Sequence, residues 1–252
     1  MPIWETIENL AAYLPRDRIV ALGKGEDLPE FAHGSTLFAD ISGFTPLTEA
    51  VVSRYGPRRG GEELTNHLNT VYDALICEVD RYDGSVIGFA GDAITTWFSG
   101  DDGTRALACA FRMQATMSAF ESITLPDGAV FSLGMKVAVA AGRVRRFLVG
   151  DPKIQRSDLI AGDVLERLAD AEHAAERGDV VCDGITAEDL ADSLVVSERR
   201  PSETDKPVAV VEELRNPPDP LVGNDLPLDG LTEEMLRPWL IRDVYDLSLI
   251  HI

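Results

Sequence analysis

Two stretches of this chain each deliver one aspartate to a glycine-containing turn at the end of an apolar strand. That pairing constrains the fold more than any other feature. The first is TLFADISGFTPLTE, residues 36–49, and the second is SVIGFAGDAITTWF, residues 85–98. In the first, Leu37 and Phe38 lead into Asp40 and Ile41, after which Ser42, Gly43, Phe44 and Thr45 open a helical pattern. A strand ending in a carboxylate, followed by glycine and a helix N-terminus, suits a phosphate–metal site. The free N–H groups of the first helical turn face an anion, and the carboxylate holds the cation that bridges to it. In the second, apolar runs (Val86, Ile87, Phe89 and Ile94, Trp97, Phe98) flank Ala90, Gly91, Asp92 and Ala93. This is the pattern of a β-hairpin with a carboxylate at its tip. Aspartates on neighbouring strands can clamp two divalent ions about 4 Å apart. Either stretch alone reads equally well as a turn or cap aspartate; the pair points to a site.

Composition bounds what that site can belong to. A chain of 252 residues fits one domain plus extras. Its apolar and charged content, 45% and 26%, is that of a globular protein. The formal charge of −20 argues against nucleic acid or an anionic membrane as partner, and an anionic nucleotide needs a local cation here. Cys77, Cys109 and Cys182 match no zinc spacing and read as reduced thiols of a cytoplasmic protein. Neither a signal peptide nor a membrane span is evident.

In chain order, residues 1–30 form a leader with an amphipathic helix (Ile3, Trp4, Ile7, Leu10, Leu14) that packs on the domain or a partner. Helices are expected over 45–55, ended by Gly56-Pro57, and over 60–80, with Leu64, Leu68, Val71, Leu75 and Val79 as one buried stripe. Another follows over 103–120, with Met113 and Met117 as core. Residues 131–139 alternate as a half-buried strand, Ala141-Gly142 turns the chain, and 143–149 form a second strand. Its Arg143, Arg145 and Arg146 read as a solvated face or as holders of phosphate. A helix over 160–177, a strand at 180–182 and a small α/β piece to Leu214 complete the core. The fold class is α+β: a ferredoxin-like βαββαβ core with an antiparallel-rich sheet, helices on one face and a C-terminal Pro-rich arm. Seven of the fourteen prolines fall between Pro201 and Pro238. Residues 201–252 therefore read as a closing strand, a Pro-rich acidic linker that is mobile or loosely docked, and a tail. The last residues, DLSLIHI, resemble an assembly artefact and are left out of the fold.

FADISGFTPLTE and GSVIGFAGDAITTWF resemble the two metal-binding segments of the class III nucleotidyl cyclases. The likeness is greatest to the first catalytic half of the soluble, bicarbonate-responsive adenylyl cyclases and their bacterial relatives. It spans about residues 31–214, with the cyclase domain proper at 31–200. The resemblance implies that Asp40 and Asp92, with the main-chain carbonyl of Ile41, bind two Mg²⁺ or Mn²⁺ ions. It implies that Ser42, Gly43, Phe44, Thr45 and Gly91 bind the phosphates of ATP, alternatively GTP. It also implies a dimeric centre, in which a second cyclase half supplies a base-reading lysine, a ribose-orienting asparagine and an arginine for the transition state. At those positions this chain has Gly88, Glu166 and Asp170. A symmetric pair would then hold two metal sites facing no complementary cations. The expectation is a half-domain for intracellular signal transduction that needs a different half, encoded beyond a truncated C-terminus. The alternative is a catalytically inactive regulatory half that binds nucleotide or dimerises. A diguanylate cyclase is disfavoured, because the hairpin reads AGDAI and not a GGDEF-like turn.

Overall fold

The computed structural model describes residues 3–124, 128–204, 206–221, 226 and 228–248. Its helices are α1 (Ile3–Ala11), α2 (Arg16–Lys24), α3 (Phe44–Arg81), α4 (Thr104–Met117), α5 (Asp163–Ala174), α6 (Gly184–Asp189), α7 (Glu233–Leu236) and α8 (Arg242–Ser248). Its strands are β1 (Phe31–Ser42), β2 (Ser85–Ala90), β3 (Ala93–Ser99), β4 (Ile123–Thr124), β5 (Val130–Phe131), β6 (Gly134–Asp151), β7 (Gln155–Ala161), β8 (Val180–Cys182), β9 (Leu194–Arg200) and β10 (Val208–Leu214). The main sheet runs β2-β3-β1-β6-β8-β10-β9, with β7 paired to the far end of β6. Among the described residues, only the β6–β8 pair is parallel. The segment β1-α3-β2-β3-α4-β6, in sheet order β6-β1-β3-β2, is the expected βαββαβ core.

Side chains alternate between two faces of this sheet. Leu37, Ala39 and Ile41 of β1, Ile94 and Phe98 of β3, and Met135, Val137 and Val139 of β6 meet α3 and α4 in the larger core. On the other face Trp97, Ala138 and Ala140 meet Val164, Leu168 and Ala171 of α5. Helices therefore cover both faces, not one. For the same reason β6 from Val137 to Ala141 is buried on both sides and not half-buried: its small alanines leave room for α5.

Three further expectations are corrected. Ala141-Gly142 makes no turn; the chain runs straight through as one strand of 18 residues. Residues 155–161, read partly as helix, form β7, because they pair with 145–151. Part of the tail is packed, and Val244 and Tyr245 still lie against the cluster it forms. Leu231, Leu236, Trp239 and Leu240 form a third buried cluster with Ile7, Leu10, Leu14 and Ile19 of the leader. Short apolar stretches without long periodicity gave no sign of this, because their partners lie at the other end of the chain. The side chain of Trp4 and residues 249–252 fall outside the described residues. The break at Gly56 is present: φ 78°, ψ 167° interrupts α3 just before Pro57. Val71, Leu75 and Val79 of the stripe are fully buried, whereas Leu64 and Leu68 are only partly so.

Candidate active site

The register of the sheet brings the two aspartates together. Asp40 of β1 pairs with Ala93 of β3, so the next residue along the hairpin, Asp92, lies at the same end of the neighbouring strand. Asp40 shares the α5 side of β1 with Phe38. Burial pushes its carboxyl above the ordinary range; Lys136 pulls it down, while Asp92 and Glu172 push it up again. A carboxylate raised in this way by a neighbouring carboxylate is a poor arrangement without a cation.

Part of that cation is already in the chain. Lys136 is the register partner of Asp40 on β6. Its ammonium lies 3.8 Å from Asp40 Oδ2 and 2.7 Å from Glu172 Oε1 of α5, and it donates to the Glu172 carbonyl at 3.2 Å. Sequence reasoning missed Lys136 and Glu172. No local pattern marks them, and only the β1–β6 register and the docking of α5 place them here.

β1 passes into α3 through Gly43, which has φ 102° and no side chain to cap the helix. A Cβ at that position would meet the Ser132 carbonyl oxygen at 2.5 Å, so both the conformation and the space require glycine. Phe44, Thr45 and Pro46 make up the first turn of α3, and Pro46 has no N–H. The amides of Gly43, Phe44 and Thr45 are therefore the donors at this helix start. Ser42 donates its hydroxyl to the Gly134 carbonyl at 3.3 Å. Ile41 is fully buried, which leaves its main chain as the part able to act at the site. Gly91 turns the hairpin at φ 65°.

A row of rings backs the hairpin. Phe44 stacks on Tyr72 at 6.5 Å between centroids, and Tyr72 meets Phe89 edge-on at 5.7 Å. Burial, and then the charge of Asp92, raise the Tyr72 hydroxyl above its ordinary value. Tyr72 is thus a third residue of the site that the sequence did not mark.

Gly88, Glu166 and Asp170 are not gathered with the aspartates. A Cβ on Gly88 would meet nothing within 4 Å. Instead it lines a separate cavity of about 230 Å³ beneath Pro15 and Asp17 of the leader. Glu166 is exposed on α5. Asp170, one turn on, anchors the loop before β10: it accepts from the Ser202 hydroxyl, from the Glu203 amide at 2.8 Å and from Thr204 Oγ1 at 3.2 Å. Of the three strand arginines, only Arg143 and Arg145 are exposed, and Arg145 pairs with Glu30 at 2.6 Å. Arg146 is buried against the ring of Trp97, 5.6 Å away, and bonded to Asp17. It is a structural clip and not a phosphate holder.

No group of three or more His, Cys, Asp or Glu side chains able to hold a metal occurs among the described residues. The donor set is nevertheless suited to Mg²⁺ or Mn²⁺. Such hard ions are bound through one or two carboxylates, the remaining positions being filled by substrate phosphates and water.

No family model matches the chain. Its sequence is similar to adenylate cyclase type 10 of Rattus norvegicus, 27% identical over 84% of this chain and 13% of the relative. The Homo sapiens protein of that name is 28% identical over 69% of this chain and 11% of the relative. The chain thus spans only about an eighth of the length of these curated relatives. Among solved structures, the guanylyl cyclase Cya2 superposes with a TM-score of 0.60 and 21% identity, covering 74% of this chain and 95% of that one. The adenylyl cyclase CyaB from P. aeruginosa gives 0.56 and 20%, covering 74% and 97%.

Proposed function

From a chain that folds as the catalytic domains of the class III nucleotidyl cyclases do, we propose one half of a nucleotidyl cyclase. It forms 3′,5′-cyclic nucleotide and pyrophosphate from a nucleoside triphosphate. The observation that carries this reading is the placement of Asp40 and Asp92 at one end of adjacent strands, beside the glycine-led start of α3. The names of the sequence relatives favour ATP over GTP.

Asp40, Asp92 and the Ile41 carbonyl hold the metal position. Two Mg²⁺ or Mn²⁺ ions bound there supply Lewis acidity toward the ribose 3′-hydroxyl and neutralise the triphosphate. The amides of Gly43, Phe44 and Thr45, with Ser42 and Gly91 beside them, cradle the phosphates at the positive end of α3. Lys136 adds a fixed positive charge on the β6 side, held by Glu172 so that it points at the same place. Phe44 and Tyr72 line one flank, with Phe89 edge-on against Tyr72. Positioning and electrostatics carry the rate, and the fold offers no separate general base.

The test is nucleotide binding with Mn²⁺ in the Asp92→Ala and Asp40→Asn variants. Each is expected to lose about tenfold or more in metal-dependent affinity while melting within a few degrees of the parent. Unchanged Mn²⁺–nucleotide affinity in Asp92→Ala would overturn the site assignment. The second reading, a regulatory half without turnover, is favoured by the binding of Asp170 into the 202–204 loop. It predicts the same binding with no cyclic product under any pairing.

A further inference from the structure

A cavity of about 480 Å³ separates the leader from the body of the domain. Its walls are Leu14 and Ile19 of the leader, Ile76 of α3, and Val86 and Phe89 of β2, the edge strand of the sheet. Ala12 and Tyr13, both exposed, stand at its mouth. The volume falls within the range of small-molecule sites, whose walls are mostly apolar with a few convergent polar groups. Here the polar groups are Arg16 and Asp80. Arg16 is buried, with Nε 3.3 Å from Asp83 Oδ1. Burial raises the Asp80 carboxyl and the charge of Arg16 lowers it, so the two groups sense each other.

We propose that this cavity is a binding site for a compact, largely apolar molecule carrying one neutral donor–acceptor group, such as a primary amide or an alcohol. The apolar part fills the space between Leu14, Ile76 and Val86. The neutral group donates to Asp80 and accepts from Arg16, which leaves the two cations Arg16 and Arg105 balanced against Asp80 and Asp83. A ligand carboxylate or ammonium adds a net charge to this partly desolvated set of four and is disfavoured. The same wall reaches the candidate active site. Phe89 contacts Tyr72 and lies three residues before Asp92, and β2 has a register shift between Val86 and Gly88. Occupation of the cavity fixes Phe89, and with it the hairpin tip. Binding in the cavity stands apart from the nucleotide reading; its transmission to Asp92 rests on that reading.

Three probes of one shape test this on the full chain: 4-phenylbutanamide, 4-phenylbutyrate and 4-phenylbutylamine. Methyl NMR is expected to show the amide shifting Leu14, Ile19, Ile76 and Val86, with affinity about fivefold or more above the acid and the amine. Ala12→Trp closes the mouth from an exposed position, and Ile76→Phe fills the space from the opposite wall. Either variant, if folded by its melting curve, is expected to abolish the shifts. No shift with any probe, undiminished binding in both filled variants, or preference for a charged probe would overturn the site. With the amide bound, Mn²⁺–nucleotide affinity is expected to change about fivefold, and Phe89→Ala to erase that change. A chain that binds the amide but no nucleotide keeps the cavity site and refutes the cyclase reading. Nucleotide binding indifferent to the amide removes the coupling.

Discussion

At the scale of single residues, carboxylates with opposite environments divide the work. Asp40 is pushed up by burial and, despite Lys136, by its neighbours Asp92 and Glu172. A folded-state carboxyl raised in this way weakens the fold as pH rises through its pKa, and a bound cation reverses that cost. Asp170 is the contrary case. Burial opposes its ionisation, but the hydrogen bonds from Ser202, Glu203 and Thr204 outweigh it and hold the carboxyl below its ordinary value. A depressed carboxylate contributes stability that is present above the unfolded-state pKa of about 3.9 and is lost as pH falls through the folded value. Asp170→Ala should therefore cost about 1–2 kcal/mol at neutral pH. The gap to the parent should close below about pH 3.9, where the parent carboxylate also takes up its proton. Urea unfolding of both proteins across that range checks this; a gap independent of pH would mean that the charge of Asp170 plays no part. Asp40 and Asp92 were legible in the sequence because each sits in a local strand–turn pattern. Lys136, Glu172 and Tyr72 were not, because nothing near them in the chain marks them.

At the scale of elements, the least anticipated feature is the clasp between the two ends of the chain. α1 and α2 pack on α7 and on the short 3₁₀ turn Arg237–Trp239, and Arg18 pins the assembly to the domain. Its guanidinium meets both oxygens of Asp158 on β7, at 2.6 and 2.7 Å, and lies 4.6 Å from the Trp239 ring. Both partners of this ion pair are buried, with side-chain exposures of 3% and 7%. Removing one leaves the other charge desolvated, at a cost of about 3–5 kcal/mol. Arg18→Ala should loosen the clasp while leaving the sheet intact. Hydrogen exchange should quicken in α1, α2 and α7, with β1 and β6 unchanged. Equal acceleration through β1 and β6 would mean that clasp and domain unfold as one unit. Residues 201–252 are thus not loosely docked throughout, since β10 is an inner strand of the sheet and Leu231, Leu236, Trp239 and Leu240 pack on the leader.

At the scale of the whole molecule, the proposed half-site comprises two carboxylates, a helix start and Lys136 at one end of the sheet. The isolated chain should make little or no cyclic AMP or cyclic GMP. A partner half carrying Lys, Asn and Arg at the positions matching Gly88, Glu166 and Asp170 should raise Mg²⁺- or Mn²⁺-dependent synthesis by about 10² or more, the usual worth of even one preorganised transition-state contact. Robust synthesis by the chain alone would overturn the half-site reading. What the sequence by itself determined is local: strands that alternate, glycines that turn, the break at Gly56, and two aspartates each placed at the end of a strand. Short-range patterns carry these because backbone conformation and side-chain period are properties of neighbouring residues. Only the tertiary structure decided the rest. β6 runs straight through Gly142 because β1 pairs with it from Phe31↔Arg145 to Ser42↔Gly134. Arg146 is buried because Asp17, far away in sequence, is there to neutralise it. Lys136 stands beside Asp40 because two strands separated by nearly a hundred residues lie in register. Pairings of that kind depend on which surfaces meet, and no window of sequence contains both partners.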